Sequence, residues 1–270
     1  MTWFWIAVAA ACAYFLFRGF AVEPYDLEVV ERELFFPELP EALDGLRIAH
    51  LSDFHLRRID EVERQALEAV RRAGPDLICL TGDFVDEKKD LQLIVPYLME
   101  LCRGKRSYAV LGNHDYGEGA DPEGLKRELG RVGVRLLVNE AVEERFKGAR
   151  IRIAGVDDPH TGRANAAAAL GAGKAAFTLL LAHSPDVLLD PASSGADLVL
   201  CGHTHGGQVR LPVVGPLVTN TRVGRRAAAG EVEVGGVRCY VTRGLGASGI
   251  RARLFCRPEL ALLRLRRGSN

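Results

Sequence analysis

The chain has 270 residues, of which 48% are apolar and 26% are charged. This length suits one large domain, and this composition excludes a disordered chain, a coiled-coil rod and a polytopic transporter. The 35 basic residues balance 35 acidic ones, which argues against a wholly basic nucleic-acid binder. Residues 203–270 nevertheless carry 12 Arg, no Lys and three acids, a net charge of +9. This excess is either ordinary surface scatter or a basic wall beside an anionic substrate or anionic lipid.

The N-terminus carries a segment long and apolar enough to cross a membrane. Residues 1–17 contain no charge, and apolar residues resume after Arg18 through Val22. About 20 apolar residues span a bilayer core, and the run lacks the preceding basic residues of a signal peptide. We expect 1–22 to be one retained transmembrane anchor, with a cleaved signal or a buried helix as alternatives. Because Arg18 follows the run, the positive-inside rule favours the rest of the chain on the cytoplasmic side of the cell (inner) membrane.

Short apolar runs alternate with helical patterns in the first half of the chain. We expect 23–45 to be a connecting strand and loop, with its strand at 27–36. Buried strands are predicted at 46–51, 76–81 and 107–111, and helices at 61–72, 91–101 and 123–132. Strands that alternate with helices imply βαβ units and a parallel sheet.

The second half is richer in strands. They are predicted at 134–138, 141–146, 151–156, 177–182, 198–201, 231–234, 238–242 and 260–265. The Ala/Gly-rich segment Asn165–Lys174 predicts a poor short helix or a loop. We expect one domain over 46–270 of α/β (α+β) class, with two packed mixed β-sheets flanked by helices.

Polar side chains with ligand chemistry follow the points where apolar strands end. They are Asp53, His55, Asp83, Asn113, His114, Asp115, His183, His203 and His205. Ligands of open α/β sheets gather beyond the carboxyl ends of strands, so we expect these side chains to meet in one crevice. A lone His after a strand is more often a hydrogen-bonded core residue, but the whole set in this order indicates a metal site. Carboxylate, imidazole and amide oxygen without thiolate suit Mn, Fe or Zn.

The order of these motifs resembles the calcineurin-like metallophosphoesterases, from about residue 46 to the C-terminus. The motifs are Asp53-x-His55, Gly82-Asp83, Gly112-Asn113-His114-Asp115, His183 and Gly202-His203-Thr204-His205. The resemblance implies the metallophosphoesterase fold and two divalent ions, with Mn²⁺ favoured and Zn²⁺ or Fe as alternatives. One metal would be held by Asp53, His55, Asp83 and His205. Asp83 would bridge to the second, held by Asn113, His183 and His203.

The resemblance also implies roles around the scissile phosphate. His114 would be catalytic, either protonating the leaving group or steadying the transition state, and Asp115 would orient it. Asp86 would support the ligands or cap a helix. Two metals about 3.5–4 Å apart would clamp the attacking and leaving oxygens and generate hydroxide near neutral pH. The implied activity is hydrolysis of a phosphodiester or diphosphate bond.

Candidates for substrate binding follow the last ligand. Gly206 and Gly207 could bring backbone amides close to an anion, and a plain tight turn is the alternative. Gln208, Arg210 and Arg243 are further candidates, as are Arg222, Arg225, Arg226 and Arg251. The apolar, proline-kinked run 209–217 predicts an exposed loop or a lip for an acyl chain. This half of the chain is similar to the membrane-anchored bacterial branch of the family, which includes phosphodiesterases and UDP-2,3-diacylglucosamine pyrophosphatases.

We therefore expect a membrane-anchored phosphohydrolase acting on an anionic, lipid-linked phosphate substrate. UDP-2,3-diacylglucosamine hydrolysis in lipid A biosynthesis is the best single hypothesis, and a general Mn-dependent phosphodiesterase acting on phospholipids or nucleotides is the alternative. No nucleic-acid substrate is expected, because aromatic residues are only 7% and the basic excess is local. A catalytically silent membrane adaptor is the alternative from another class. Such an adaptor should have lost a metal ligand, and all seven are present.

Overall fold

Two six-stranded β-sheets form the body of the protein. The computed structural model describes residues 1–117, 121–173 and 175–269. The strands of these ranges are β1 (Glu28–Phe36), β2 (Arg47–Leu51), β3 (Leu77–Thr81), β4 (Arg106–Val110), β5 (Val134–Leu136), β6 (Glu140–Phe146), β7 (Ala149–Gly155), β8 (Phe177–Leu181), β9 (Leu198–Cys201), β10 (Arg210–Leu211), β11 (Gly215–Pro216), β12 (Gly230–Val234), β13 (Val237–Val241) and β14 (Glu259–Arg267). The α-helices are α1 (Thr2–Phe17), α2 (Glu61–Ala73), α3 (Leu91–Leu101), α4 (Pro122–Arg131) and α5 (Ala166–Leu170).

Both sheets are mixed, as the sequence predicts. The first has the strand order β1-β14-β2-β3-β4-β5 and the second β12-β13-β9-β8-β7-β6, while β10 and β11 form a separate small hairpin. Within the first sheet β2, β3 and β4 are parallel, and within the second β7, β8 and β9 are parallel. Within each sheet, the carboxyl ends of these parallel strands therefore lie at the same end of the sheet. The polar motifs come directly after these strand ends in the sequence.

The sheets pack face to face, and helices cover their outer faces. Ile48 and Leu77 of the first sheet share one fully buried cluster with Leu179 and Leu200 of the second. Helices α2, α3 and α4 pack on the outer face of the first sheet, and α5 packs on the second. Because both faces of the first sheet are covered, every residue of Leu77–Thr81 is buried. This is why the sequence of the strand is a continuous apolar run.

Helix α2 begins at a capping box and ends at a left-handed glycine. The side chain of Asp60 accepts a backbone N–H of the first turn, and Glu63 accepts the N–H of Asp60, which forms a capping box. Gly74 ends the helix in the left-handed conformation, with φ of 53°. The buried residues Val62, Ala66 and Val70 recur at helical spacing, so one apolar stripe faces the sheet.

Two predicted segments take a more definite form in the structure. Within 23–45, the strand Glu28–Phe36 pairs in parallel with β14 over its whole length, from Glu28 opposite Glu259 to Phe36 opposite Arg267. It is therefore the edge strand of the first sheet rather than only a connection. Within the Ala/Gly-rich segment, α5 forms because Asn165 caps the amide of Ala168. Lys174 and Asn270 lie outside the described residues.

The N-terminal helix projects from the body of the protein. The stretch Thr2–Tyr25 is apolar and long enough to cross a membrane, and no residue of α1 is buried. Contact with the rest of the chain is made at its C-terminal end, where the Gly19 carbonyl accepts the Arg253 amide at 2.9 Å. Buried Glu23 pairs with Arg18 and accepts the Cys256 amide. The end of the helix is thereby fixed against the segment before β14.

Candidate metal centre

The predicted ligands converge where five strands end. Asp53 and His55 follow β2, Asp83 follows β3 and Asn113 follows β4, so the first sheet supplies four of them. The second sheet supplies His183 after β8, and His203 and His205 after β9. All seven side chains meet in one cleft between the two sheets, and all except the half-buried Asn113 belong to buried residues.

One group of ligand atoms surrounds a first candidate metal position. Its members are Asp53, His55, Asp83 and His205, with ligand atoms all within 4.8 Å of one another. Nε2 of His55 lies 3.2 Å from Nε2 of His205 and 3.4 Å from Oδ2 of Asp83. Ligand atoms bound at about 2.1 Å to one ion stand about 3.0–3.4 Å apart, so this spacing fits a single divalent cation.

A second group shares Asp83 with the first. Nε2 of His183 lies 3.3 Å from Oδ2 of Asp83, 3.1 Å from Oδ1 of Asn113 and 3.2 Å from Nδ1 of His203. Oδ2 of Asp83 therefore faces both groups, while its Oδ1 accepts the backbone N–H of His114 at 2.9 Å. This geometry gives Asp83 the position that a bridging carboxylate requires.

Hydrogen bonds behind the site orient the imidazoles. Nδ1 of His55 donates to Asp86 at 2.7 Å, and Nδ1 of His183 donates to the Thr81 carbonyl at 2.7 Å. Nε2 of His203 donates to the Asn220 carbonyl at 3.0 Å. Each bond uses the ring N–H, so the other nitrogen turns a lone pair into the cleft. Two ring nitrogens that face each other at 3.2 Å need a proton or a metal cation between them. With Asp83 beside both pairs, the residues present fit a metal.

The electrostatics of the cleft also favour positive charge. Burial would lower the pKa of His183, but the carboxylates of Asp83 and Asp53 outweigh it and raise that pKa to about 10. Burial would raise the pKa of Asp83, but the neighbouring imidazoles hold it well below its usual range. Burial and His183 lower the pKa of His203 to about 3. Without a metal, His183 therefore carries a proton near neutral pH while His203 stays neutral. A divalent cation that binds here would take the place of that proton.

Five of the seven ligands have a left-handed backbone. The φ angles are 52° at Asp53, 41° at His55, 53° at Asp83, 69° at His203 and 51° at His205. This region is unfavourable for residues other than glycine, and such strain clusters at functional sites. The strained turns aim each side chain into the cleft instead of along the strand.

Two glycines allow the ligand loops to approach one another. A Cβ at Gly202 would lie 2.3 Å from Oδ2 of Asp53, and a Cβ at Gly112 would lie 2.2 Å from Oδ1 of Asp83. Any side chain at these positions would displace a ligand. Both glycines belong to the motifs, and their role is close packing of backbone against carboxylate.

His114 lies at the mouth of the cleft rather than among the ligands. Its side chain is 36% exposed, and Nδ1 lies 3.1 Å from Oδ1 of Asp86. The hydrogen bond with Asp86 raises the pKa of His114. Nε2 lies 3.4 Å from Oγ of Ser248. The ring can therefore hold a proton on the nitrogen that faces outward.

The structure corrects the role expected of Asp115. Its carboxylate accepts the backbone N–H groups of Asp83, Phe84 and Gly112, each at 2.9 Å, and does not orient the His114 ring. Burial and the charge of Asp83 raise the pKa of Asp115 to about 7. Asp115 therefore joins the loops that follow β3 and β4. Asp86 orients His114, and the signal for it was its position three residues after a metal ligand.

The candidate substrate residues divide into two groups. Gly206 and Gly207 form the tight turn that was the alternative, since their amides bond to Thr204. Arg243 is a second correction: it pairs with Glu259 and Glu28 and its side chain is only 15% exposed, so it supports the turn from behind.

Gln208 and Arg210 remain near the cleft. Oε1 of Gln208 accepts the amide of Ser248 at 2.7 Å, which holds Ser248 beside His114. Nη1 of Arg210 donates to the Gly206 carbonyl at 3.3 Å. The sequence did not single out Ser248, because nothing in the local pattern marks a serine in a loop as a neighbour of a distant histidine.

An open cavity adjoins the second metal position. Its volume is about 620 Å³, and it is lined by residues that include His160, Asp186, Asn220 and Arg222. The ring of His160 lies 4.7 Å from that of His203, and Nε of Arg222 lies 3.1 Å from Asp186. His160 is not among the residues that the sequence motifs single out, because it follows no motif strand. The fold nevertheless brings it to the rim of the site.

The comparisons with known proteins agree with this site. Residues 46–207 match the family model described as calcineurin-like phosphoesterase. The chain is 30% identical over 252 residues to the uncharacterized metallophosphoesterase YkuE of Bacillus subtilis, covering 91% of this chain and 87% of that protein. It is 32% identical over 248 residues to the phosphodiesterase YaeI of Escherichia coli, covering 90% of each.

A third relative carries a membrane term in its name. The Danio rerio "transmembrane protein with metallophosphoesterase domain" is 32% identical over 253 residues, covering 86% of this chain and 56% of that protein. Together with the site, these matches define a class: a metal-dependent phosphoesterase hydrolase. The chain belongs to the calcineurin-like phosphoesterase family.

Proposed function

We propose that this protein is a membrane-anchored, dinuclear-metal phosphohydrolase that cleaves a phosphodiester or diphosphate bond in a lipid-linked substrate. The observation that carries the hydrolytic reaction is the arrangement of seven ligand side chains around the shared Oδ2 of Asp83. A catalytically silent adaptor has no need of such a set, nor of five strained residues that hold it.

The residues divide between the two ions. Asp53, His55, Asp83 and His205 would hold one, and Asp83, Asn113, His183 and His203 the other. Bound divalent ions supply positive charge to the phosphate and lower the pKa of water. Oxygen and imidazole donors without thiolate fit Mn²⁺, our proposed metal, and also Fe or Zn²⁺.

His114 would manage the proton of the leaving group. Its raised pKa favours the imidazolium near neutral pH, and Asp86 holds Nδ1 so that Nε2 carries the mobile proton. Transfer from Nε2 to the departing oxygen neutralises the charge that develops as the P–O bond breaks. Ser248 and Gln208 restrain the ring from the other side.

The non-reacting part of the substrate would occupy the cavity beside the second metal position. Arg222 exposes 72% of its side chain there, and a guanidinium binds phosphate oxygens in pairs. His160 adds a hydrogen-bonding edge. These residues suit a second phosphate group, which supports a diphosphate-linked substrate.

The N-terminal helix supports a substrate in the same membrane. An anchored enzyme gains effective concentration on a membrane-bound substrate and gains nothing on a diffusing nucleotide. Our best hypothesis is UDP-2,3-diacylglucosamine, hydrolysed at the cytoplasmic face of the cell membrane in lipid A biosynthesis. A Mn-dependent phosphodiesterase acting on phospholipids or nucleotides is the second candidate, favoured by the name of the YaeI relative.

A substrate comparison tests the proposal. Purified full-length protein with Mn²⁺ is assayed for kcat/KM on UDP-2,3-diacylglucosamine and on deacylated UDP-glucosamine. Each acyl CH₂ that leaves water contributes about 0.8 kcal/mol, so the acylated compound should be much the better substrate. Equal kcat/KM values for the two compounds would favour the second candidate, the Mn-dependent phosphodiesterase.

Two controls separate the remaining outcomes. Bis-p-nitrophenyl phosphate, a soluble diester, reports the hydrolytic chemistry without any lipid contribution, and Asp83→Ala gives the background. If the metal-loaded protein hydrolyses no compound faster than Asp83→Ala, the adaptor hypothesis replaces the enzyme.

A further inference from the structure

Two adjacent loops beside the last metal ligands expose apolar side chains. We call the side chains of Leu211, Val213, Val214, Leu217, Ile250 and Phe255 the hairpin surface. Their exposed fractions run from 38% at Phe255 to 108% at Val213. The hairpin β10–β11 carries the first four, and Val209 bridges Leu254 in parallel, so the two loops lie side by side. Apolar patches of this kind mark interaction sites.

The tip of the hairpin is unfavourable in water. Val213 has φ of +69°, a conformation that a β-branched residue rarely adopts. Its side chain is also fully exposed. A hairpin tip in water favours glycine or asparagine at such a position. The choice of valine is therefore not explained by the folding of the hairpin and indicates an apolar neighbour outside the described chain.

The contact between Phe255 and the N-terminal helix identifies that neighbour. The ring of Phe255 lies 5.9 Å from the ring of Phe15, which precedes Arg18, the first charged residue of the chain, by three positions. If Phe15 lies within the apolar layer of a membrane, Phe255 lies at nearly the same depth. Gly19, one turn further on, packs against Leu254. The hairpin surface is thus continuous with the apolar surface of the anchor.

Basic side chains surround the hairpin surface. The guanidinium of Arg18 lies over the Phe255 ring at 5.3 Å. Arg225 reaches the Val214 carbonyl at 3.5 Å. Arg251, which also pairs with Asp60 at 2.6 Å, lies over Tyr25 at 4.8 Å. Apolar side chains rimmed by arginine are the pattern of a surface that enters the interface of an anionic bilayer.

We propose that the hairpin surface inserts into the headgroup layer of an anionic lipid bilayer beside the anchor. This inference rests on the membrane anchoring in the proposed function. Only three residues separate His205 from Val209 and the start of the hairpin, so insertion brings the metal centre to the lipid surface. A phosphate ester in a lipid headgroup then reaches the metals without leaving the membrane.

Depth-dependent fluorescence quenching tests this placement. The chain has two tryptophans, Trp3 and Trp5, which are replaced by phenylalanine in the full-length protein. Val213→Trp is introduced, and the protein is reconstituted into vesicles of phosphatidylcholine and phosphatidylglycerol. We expect brominated lipid to quench the fluorescence of the new tryptophan and aqueous iodide to leave that fluorescence unchanged.

Met99→Trp in the same background is the matched control. Met99 is 51% exposed near the end of α3 that leads into β4, and this end of the first sheet is opposite the metal centre. We expect iodide, and not brominated lipid, to quench it. Quenching of Val213→Trp by iodide alone would overturn the proposal, because the hairpin would then lie in water. Protection from both quenchers would overturn it too, because a second copy or another protein would then cover the hairpin.

A second variant connects insertion to turnover. Val213→Asn keeps a residue that tolerates positive φ and removes the apolar tip, so the fold is retained. Losing the burial of one valine side chain should weaken the reaction with a vesicle-embedded substrate by about tenfold in kcat/KM. Hydrolysis of bis-p-nitrophenyl phosphate should be unchanged. Equal loss on both substrates would contradict a role in membrane docking. If the parent protein hydrolyses neither the soluble diester nor a lipid-linked substrate faster than Asp83→Ala does, the proposed function fails while the quenching result still decides the placement.

Discussion

Oδ1 of Asp86 lies 3.1 Å from Nδ1 of His114 and also 2.7 Å from Nδ1 of His55. One carboxylate therefore holds both a candidate metal ligand and the candidate general acid. Its other oxygen accepts two hydrogen bonds from the guanidinium of Arg57, at 2.7 and 2.9 Å. Burial would raise the pKa of Asp86, but these partners hold it well below the usual range, so Asp86 stays ionised throughout the working range.

Replacing Asp86 with asparagine should move the pH profile. The Asp86 hydrogen bond raises the pKa of His114, so its loss lowers that pKa and the imidazolium disappears at a lower pH. The alkaline limb of kcat should shift to lower pH in Asp86→Asn, measured from pH–rate profiles on a substrate with a poor leaving group. Metal analysis is the control for His55. If the variant keeps its full metal content and its alkaline limb does not move, Asp86 does not set the pKa of His114.

His114→Ala should lose chemistry and keep metal. We expect two bound ions and a fall in kcat of about 10²–10⁴-fold, the range of general acid–base groups. The fall should be smaller for p-nitrophenyl esters, whose leaving group needs no proton. Elemental analysis beside kinetics on both substrate types checks this, and loss of one ion in the variant would show that His114 is a ligand.

Asp83→Ala should have the largest effect of any ligand substitution. Its Oδ2 faces both metal positions, so its removal weakens both. Loss of the charge stabilisation supplied by the metals is several kcal/mol, or about 10³-fold or more in rate. Exhaustive chelation of the native protein should give a similar loss, which added Mn²⁺ reverses. Full activity in the metal-free native protein would contradict metal dependence.

Asp115→Asn should weaken the fold around the ligand loops. Asparagine offers one acceptor oxygen in place of two, so at least one of three buried N–H groups loses its partner. An unsatisfied buried donor costs about 1–3 kcal/mol, which corresponds to a fall in Tm of about 5 °C. Asp44→Asn is the control, since the more exposed Asp44 accepts one N–H from Arg267. A normal Tm with an altered His114 profile would restore the orienting role to Asp115.

The N-terminal helix should anchor the protein on its own. Full-length protein should stay with membranes after a carbonate wash, because burying the exposed apolar side chains of α1 in lipid is strongly favourable. A reporter fused to the C-terminus should be active in the cytoplasm if Arg18 sets the orientation. Release by carbonate would argue against a span, and an external reporter would exclude a cytoplasmic nucleotide-lipid substrate.

The sequence predicts well the elements and which polar side chains meet in the cleft, because both depend on short-range patterns. Fully buried strands such as β3 read as apolar runs, and the ligand residues stand directly after them. Because β2, β3 and β4 are neighbours in one sheet and β8 and β9 are neighbours in the other, the residues that follow them meet where the two sheets pack. The capping of α2 by Asp60 is likewise local.

The remaining features depend on three-dimensional contacts that no local pattern encodes. Asp115 and Asp86 both lie close in sequence to a candidate ligand. Only the structure shows that Asp115 accepts backbone N–H groups while Asp86 binds the imidazole of His114. Arg243 follows a strand as the ligands do, but its guanidinium turns back to Glu259. Left-handed backbone at Asp53 and His205 cannot be predicted from the sequence, since Asp and His adopt it more often than most residues but still only rarely.

The pairing of β1 with β14 affects how the chain is made. Strand β1, the first after the N-terminal helix, pairs with β14, the last strand of the described residues, with Glu28 opposite Glu259, and β2 also pairs with β14. Such distant partners make a fold slow to complete. Strand β14 must leave the ribosome before the first sheet can close, so β1 has no partner strand until then. Loss of residues 261–270 would leave β1 without its partner and β2 paired only with β3, although it removes no residue of the candidate metal centre.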